Sequence, residues 1–261
     1  MAISIKDKVA VVVGASSGIG QSIAEALARE GMQVMAAARR DDRLAALKGN
    51  VAATFHCDVT KPEQVKALIA AALDRFGKID VLVYSSGTNV PGRSMQRLTA
   101  EDWDTIIDTN LTGAFRCTKA VLPSMREAGG GLIVYISSIS VPVADVSGAA
   151  YQASKHGMSG LARATSVEEK KNGIRTSVIF PGVCLTEILD KRPAPTPKEI
   201  LDVSLEPEDV ADAVVAIVKL HPRACVPELQ IVPTKVKRPA RRNAPDVEFY
   251  SGRPRYSRAL R

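Results

Sequence analysis

Cysteine is sparse and scattered in this sequence: Cys57, Cys117, Cys184 and Cys225 stand far apart, with no CxxC pair and no Cys/His cluster. That pattern fits neither a disulfide framework nor a zinc site, so no metal is expected and a reducing, cytoplasmic setting is favoured. Long apolar runs are lacking too. No uncharged apolar stretch reaches the roughly 20 residues that cross a bilayer. The run inside MAISIKDKVAVVVGASSGIG is short and broken by glycine, so a soluble protein with no membrane partner is expected. No repeat at solenoid periods is visible.

Most of the chain also lacks a surplus of either charge. The formal net charge is +7, but residues 235–261 hold nine Lys/Arg and two Asp/Glu, which accounts for all of it. Before position 235 there are 26 residues of each sign, so no polyanionic partner, and no nucleic acid, is expected for the body. The tail mixes its basic residues with three aromatics, a composition that suits RNA or an anionic surface. A solvated or subunit-wrapping extension is the plainer reading. At 261 residues the chain can bury a full core once, so we expect one domain over 1–234, with a substrate loop at 184–206, and an extension over 235–261.

Short runs rich in Val and Ile alternate with longer amphipathic stretches. KVAVVVG, QVMAAAR, ATFHCDV, DVLVYSSG, GLIVYISS, RTSVIFPG and LQIVPT read as seven strands. The stretches between them, including a long one over 100–125, read as helices. Continuously apolar strands joined by helices predict an α/β fold, a single doubly wound parallel sheet of Rossmann type with helices on both faces. The proline-rich segment at 187–204 breaks this rhythm and predicts either a mobile lid or disorder.

Between the first strand and first helix stands VVVGASSGIGQSIAEAL, with Gly14, Gly18 and Gly20 at G-x3-G-x-G spacing. Glycines there permit a tight turn and close backbone approach, and a dinucleotide pyrophosphate rests on the amides that follow. Ser16 and Ser17 add hydroxyl donors. At the end of the second strand the letters AAARRDD put Ala38 where an acid would hold a ribose hydroxyl, with Arg39 next. A guanidinium engages a 2′-phosphate in charge-assisted hydrogen bonds, so NADP(H) is preferred, with NAD(H) possible. Otherwise Arg39 and Arg40 form a solvated turn paired with Asp41 and Asp42.

Residues 151–155 read YQASK, which sets Tyr151 and Lys155 one helical turn apart on one face. In order and in register, the chain carries GASSGIG, DVT at 58–60, NLTG at 110–113, ISS at 136–138, YQASK and PGVCLTE at 181–187. From about residue 6 to about 234 it thus resembles the short-chain dehydrogenase/reductase family. The resemblance implies a catalytic group of Asn110, Ser138, Tyr151 and Lys155, with Tyr151 as acid, Lys155 supplying charge, Ser138 orienting the substrate oxygen and Asn110 anchoring a relay water. It further implies cofactor contacts from Gly14, Ser16, Ser17, Gly18, Ile19, Gly20, Arg39, Asp58, Val59, Gly87, Tyr151, Lys155, Pro181, Gly182, Val183 and Thr186. The family pairs through the helices holding NLTG and YQASK, which implies a homodimer or homotetramer.

The chain departs from the family in places. Where Asn-Asn-Ala-Gly is common it writes YSSG, so Ser85 stands at the position that steadies adenosine, and Val13 replaces the usual threonine before the first glycine. The expected activity is NADP(H)-dependent hydride transfer between nicotinamide and the carbonyl or secondary alcohol of a small molecule. Reduction of carrier-bound 3-oxoacyl chains and a cofactor-sensing protein without turnover are the alternatives. Val90, Val141, Val143, Cys184, Ile188 and Leu189 are expected to line the substrate pocket; no arginine in these stretches plainly awaits a carboxylate, although Arg93 and Arg192 could reach one.

Overall fold

The computed structural model describes residues 2–235; the extension expected beyond Lys235 lies outside the described residues. Seven strands form one sheet: β1 (Val9–Val13), β2 (Gln33–Ala38), β3 (Ala53–His56), β4 (Val81–Tyr84), β5 (Gly131–Ile136), β6 (Ile174–Pro181) and β7 (Glu228–Ile231). Their order is β3-β2-β1-β4-β5-β6-β7 and every pair is parallel. The helices are α1 (Gly18–Arg29), α2 (Asp41–Ala45), α3 (Pro62–Phe76), α4 (Ala100–Ile107), α5 (Gly113–Glu127), α6 (Ala149–Glu168), α7 (Lys198–Leu201) and α8 (Pro207–Val218).

The continuous apolar runs are strands because both of their faces are covered. Alternate residues of β1 diverge: Val12 joins Ile23 and Leu27 of α1 and Val214 of α8, while Val11 joins Leu68 of α3, Val121 of α5 and Met158 of α6. Each such fully buried aliphatic side chain contributes roughly 1.5–3 kcal/mol relative to exposure. Helix ends follow local chemistry. Pro62 opens α3 and Gly77 closes it in the left-handed region at φ 77°, while Glu206 and Asp209 form a reciprocal capping box on α8.

Two segments differ from the sequence reading. The long helix expected over 100–125 is α4 and α5 joined by a π-helical turn, Asp108–Thr112. The Gly113 amide donates five residues back to the Asp108 carbonyl, which frees the Thr109 carbonyl to accept from the buried Tyr84 hydroxyl at 2.5 Å. The proline-rich stretch is folded rather than disordered. It makes a 3-10 turn over Glu187–Lys191 and then α7, and its ends are held together by Leu205 N to Val183 O (2.9 Å) and Leu185 N to Leu205 O (2.8 Å). Among the described residues no helix is long and apolar enough to cross a membrane.

Candidate active site

The strand order reverses between β1 and β4, whose connections depart to opposite sides and leave a crevice beyond their carboxyl ends. A cavity of about 420 Å³ opens there. On one wall the glycine turn leaves β1 and enters α1. Gly18 adopts φ +52°, and a Cβ on it would lie 2.8 Å from Thr186 Cγ2, so the chain after β6 closes directly onto the turn. No side chain caps α1 and no acid stands in its first turn, while Ser17, Gly18, Ile19 and Gly20 border the cavity. Uncapped amides with an unopposed helix dipole suit an anionic group, and the turn therefore fits a dinucleotide pyrophosphate.

Above this turn lies Arg40, for which the sequence offered a solvated turn with Asp41 and Asp42 only as the alternative to a cofactor-facing role. Its Nε donates to Ser16 Oγ at 3.2 Å, Nη2 to Ser17 Oγ at 2.6 Å and Nη1 to Glu187 Oε2 at 2.7 Å. The bond from Arg40, helped by its charge, by a bond from Ser17 and by the charge of Arg43, holds the Glu187 carboxyl below its ordinary value against the effect of burial. Arg39 also borders the cavity. Its charge reaches Asp58. Burial works to raise that carboxyl, but bonds from the Thr60 amide (2.9 Å) and hydroxyl (2.8 Å), with Arg39 and Lys61, bring it lower.

The opposite wall gathers Ser138, Tyr151 and Lys155. Ser138 follows β5, which ends at Ile136; Tyr151 and Lys155 project from the first turns of α6. The Lys155 ammonium is buried, donates to the Ile136 carbonyl at 2.9 Å and stands 5.6 Å from the Tyr151 ring centroid. Burial pulls Lys155 down to about 8 and pushes the Tyr151 phenol up to about 12, a rise opposed by its bond with Ser138 and by the charge of Arg93. A Cβ on Gly87 would lie 3.3 Å from Lys155 Nζ and 3.7 Å from Asn110 Oδ1, so both polar atoms face the space that this glycine leaves open.

Asn110 lies behind the cavity wall, fully buried on the π-helical turn. Its Oδ1 accepts from the Thr88 amide at 2.7 Å, and its Nδ2 donates to the Thr88 carbonyl and to Ser154 Oγ, both at 3.0 Å. The side chain thereby ties the segment after β4 to the helix carrying Lys155. The structure places Gly14, Val59, Ser85, Pro181, Gly182, Val183, Cys184, Thr186, Ile188 and Leu189 on the cavity with the residues above. It does not bring Val90, Val141 or Val143 there: Val141 packs on the core beneath the sheet and Val143 is 56% exposed. Sequence reasoning missed Thr88, Asn89, Asp145 and Lys191, which also border the cavity. Thr88 and Asn89 directly follow the YSSG stretch, which was the available signal. Among the described residues no group of three or more His, Cys, Asp or Glu comes together to hold a metal.

A family model described as short chain dehydrogenase matches residues 8–196. The chain belongs to the short-chain dehydrogenase family. This short-chain dehydrogenase is an oxidoreductase. It is 35% identical over 218 residues to a cis-4-hydroxycyclohexanecarboxylate dehydrogenase of Sinomonas cyclohexanicum, covering 80% of this chain and 88% of the relative. Among solved structures it is similar to an alcohol dehydrogenase of the archaeon Thermococcus sibiricus complexed with 5-hydroxy-NADP, at TM-score 0.80 and 32% identity, covering 90% of this chain and 100% of that one. An actinorhodin polyketide ketoreductase with NADPH aligns at TM-score 0.80 and 33% identity, covering 88% and 97%.

Proposed function

We propose that this short-chain dehydrogenase uses NADP(H) to interconvert a carbonyl and a secondary alcohol on a small substrate. The observation that carries the reading is the buried Lys155 ammonium 5.6 Å from the Tyr151 ring, on the wall facing the glycine turn. The nicotinamide, when bound, supplies or accepts the hydride at the substrate carbon.

The chain's own residues manage the proton. In carbonyl reduction Tyr151 donates its phenolic proton to the substrate oxygen, and a phenol pushed up to about 12 keeps that proton through neutral pH. The tyrosinate so formed lies beside Lys155, whose ammonium stands 5.6 Å from the ring centroid and favours the ionised phenol by its charge. Ser138 donates to the same substrate oxygen and holds it against the phenol. Asn110 positions α6 through Ser154 and presents Oδ1 toward the space beside Lys155.

NADP(H) rather than NAD(H) is supported by Arg39 and Arg40 on the cavity rim and by Ala38 where an acid would repel a 2′-phosphate. The titration that tests this compares NADPH with NADH on the purified protein, followed by nicotinamide absorbance against ketones, aldehydes and hydroxy acids. Tighter NADPH binding with turnover is the expected result; equal binding would remove the cofactor assignment. A second reading, reduction of carrier-bound 3-oxoacyl chains, draws on the likeness to a polyketide ketoreductase and predicts faster turnover of carrier-linked than free ketones. We further propose a homodimer or homotetramer, supported by Phe115 on α5 and Val167 on α6, which are 47% and 78% exposed, and a cytoplasmic setting, with which the four unpaired cysteines agree.

A further inference from the structure

Three cations gather at one end of the cavity, and among the described residues none forms an ion pair with a carboxylate. Arg93, in the loop after β4, has a buried Nε with no hydrogen-bond partner. The Lys191 ammonium donates to the Thr88 hydroxyl at 2.7 Å, and Arg192 Nη1 donates to the Thr196 hydroxyl at 3.0 Å; both acceptors are neutral. Of the carboxylates nearby, Asp145 is close enough for its charge to reach Arg93 but forms no ion pair with it. Glu187 takes Arg40 and Arg43, and Asp145 Oδ1 accepts from the Ser147 amide at 2.9 Å and from the Ser147 hydroxyl.

The cluster sits at the chemistry. A Cβ on Gly148, the residue capping α6, would lie 2.7 Å from Arg93 Cβ, so Arg93 packs against the start of the helix that bears Tyr151 three residues on. Its charge reaches the phenol. Burial first, and Arg192 next, hold Arg93 below its ordinary value, partly offset by Asp145. A half-buried guanidinium beside a second cation, with a donor left unpaired, is unfavourable by itself and is relieved by an anion. No acid stands in the first turn of α6 to supply one.

Building on the proposed role of Tyr151, we propose that the substrate carries a carboxylate on the same molecule as its reacting carbonyl, held by Arg93 and Arg192 with Lys191 adding charge. A guanidinium fork matches a planar carboxylate in geometry as well as sign. The bound acid fixes the distance from its carboxylate to the oxygen that meets Tyr151, which selects oxo acids of one chain or ring length.

The test is calorimetric titration of the protein, with and without NADP⁺, using a series of linear and cyclic oxo acids, the matching primary amides, and inorganic phosphate. At least one acid is expected to bind about tenfold or more tighter than its amide. Arg93→Gln should bring acid and amide within about threefold while NADP⁺ affinity holds, Arg93→Lys should restore part of the preference, and Arg192→Gln should weaken it independently. Acids that bind no better than amides, or phosphate that binds tighter than every acid, would overturn the proposal. Equal losses for acid and amide in Arg93→Gln would overturn it too, by making Arg93 a structural residue. The readout needs no turnover: acid-selective binding without NADPH oxidation would sink the hydride chemistry alone, and NADPH oxidation on neutral ketones without acid preference would sink the carboxylate site alone.

Discussion

The Lys155 ammonium stands 5.6 Å from the Tyr151 ring centroid and is anchored to the Ile136 carbonyl at 2.9 Å. A buried cation is thus held beside a half-buried phenol by the strand that also delivers Ser138. The arrangement is costly while the phenol is neutral and becomes favourable when the phenol has given up its proton.

That cost is measurable. Burial lowers Lys155 from 10.5 to about 8, so the unfolded chain binds more protons than the folded one between those values. The folded state is therefore penalised fully below pH 8, the penalty shrinks as pH rises from about 8 to 10.5, and it is gone above. Lys155→Met should be more stable than the parent at pH 7 by about 1–3 kcal/mol, with the difference shrinking across that window. Paired denaturant melts at pH 7 and pH 10 check this; a variant less stable at both would contradict it. Carbonyl reduction by the parent should fall as pH rises through about 8, where Lys155 loses its charge.

Gly87 keeps open the space between Lys155 Nζ and Asn110 Oδ1. A methyl there meets Nζ at 3.3 Å, close enough to displace the ammonium slightly and shut out water without breaking the fold. Gly87→Ala should keep its melting temperature within a few degrees and lose about tenfold in kcat. Unchanged kcat would show that nothing passes through this space.

Tyr84 holds the π-helical turn through the Thr109 carbonyl, one residue from Asn110. Tyr84→Phe leaves that buried carbonyl unpartnered and should cost about 1–3 kcal/mol of stability. Activity should fall with it, because Asn110 ties Thr88 to Ser154. Stability measured by denaturant, together with kcat, separates the two effects; a fully active and fully stable variant would dismiss the strut.

Arg40 spans Ser16, Ser17 and Glu187 across the glycine turn. On the proposed NADP(H) reading a 2′-phosphate would compete with Glu187 for that guanidinium, so Glu187→Gln should tighten NADPH binding while leaving NADH unchanged. Arg40→Ala should weaken NADPH about tenfold or more with a smaller effect on NADH. Parallel titrations of both cofactors check the pair, and equal losses for the two cofactors would contradict it.

All seven strands were legible because parallel strands buried on both faces leave continuous apolar runs. The glycine turn and the Tyr151/Lys155 pair were legible because their chemistry is local in sequence. The interrupted helix was not: the π-helical turn depends on Tyr84, which reaches Thr109 from 25 residues away. The Arg40–Glu187 pair was hidden for the same reason, since the acid lies 147 residues on. Val143 was named for its apolar character near a motif, and it faces solvent. The cationic end of the cavity was half visible, as Arg93 and Arg192 without the means to see that they converge.

The most direct test of the account is NADPH oxidation by the parent and by Tyr151→Phe, assayed on the same carbonyl substrate alongside NADPH binding. The account predicts that Tyr151→Phe binds NADPH within about twofold of the parent and loses at least about 10²-fold in kcat. A phenylalanine variant that binds the cofactor and turns over at the parent rate would mean that the proton comes from elsewhere.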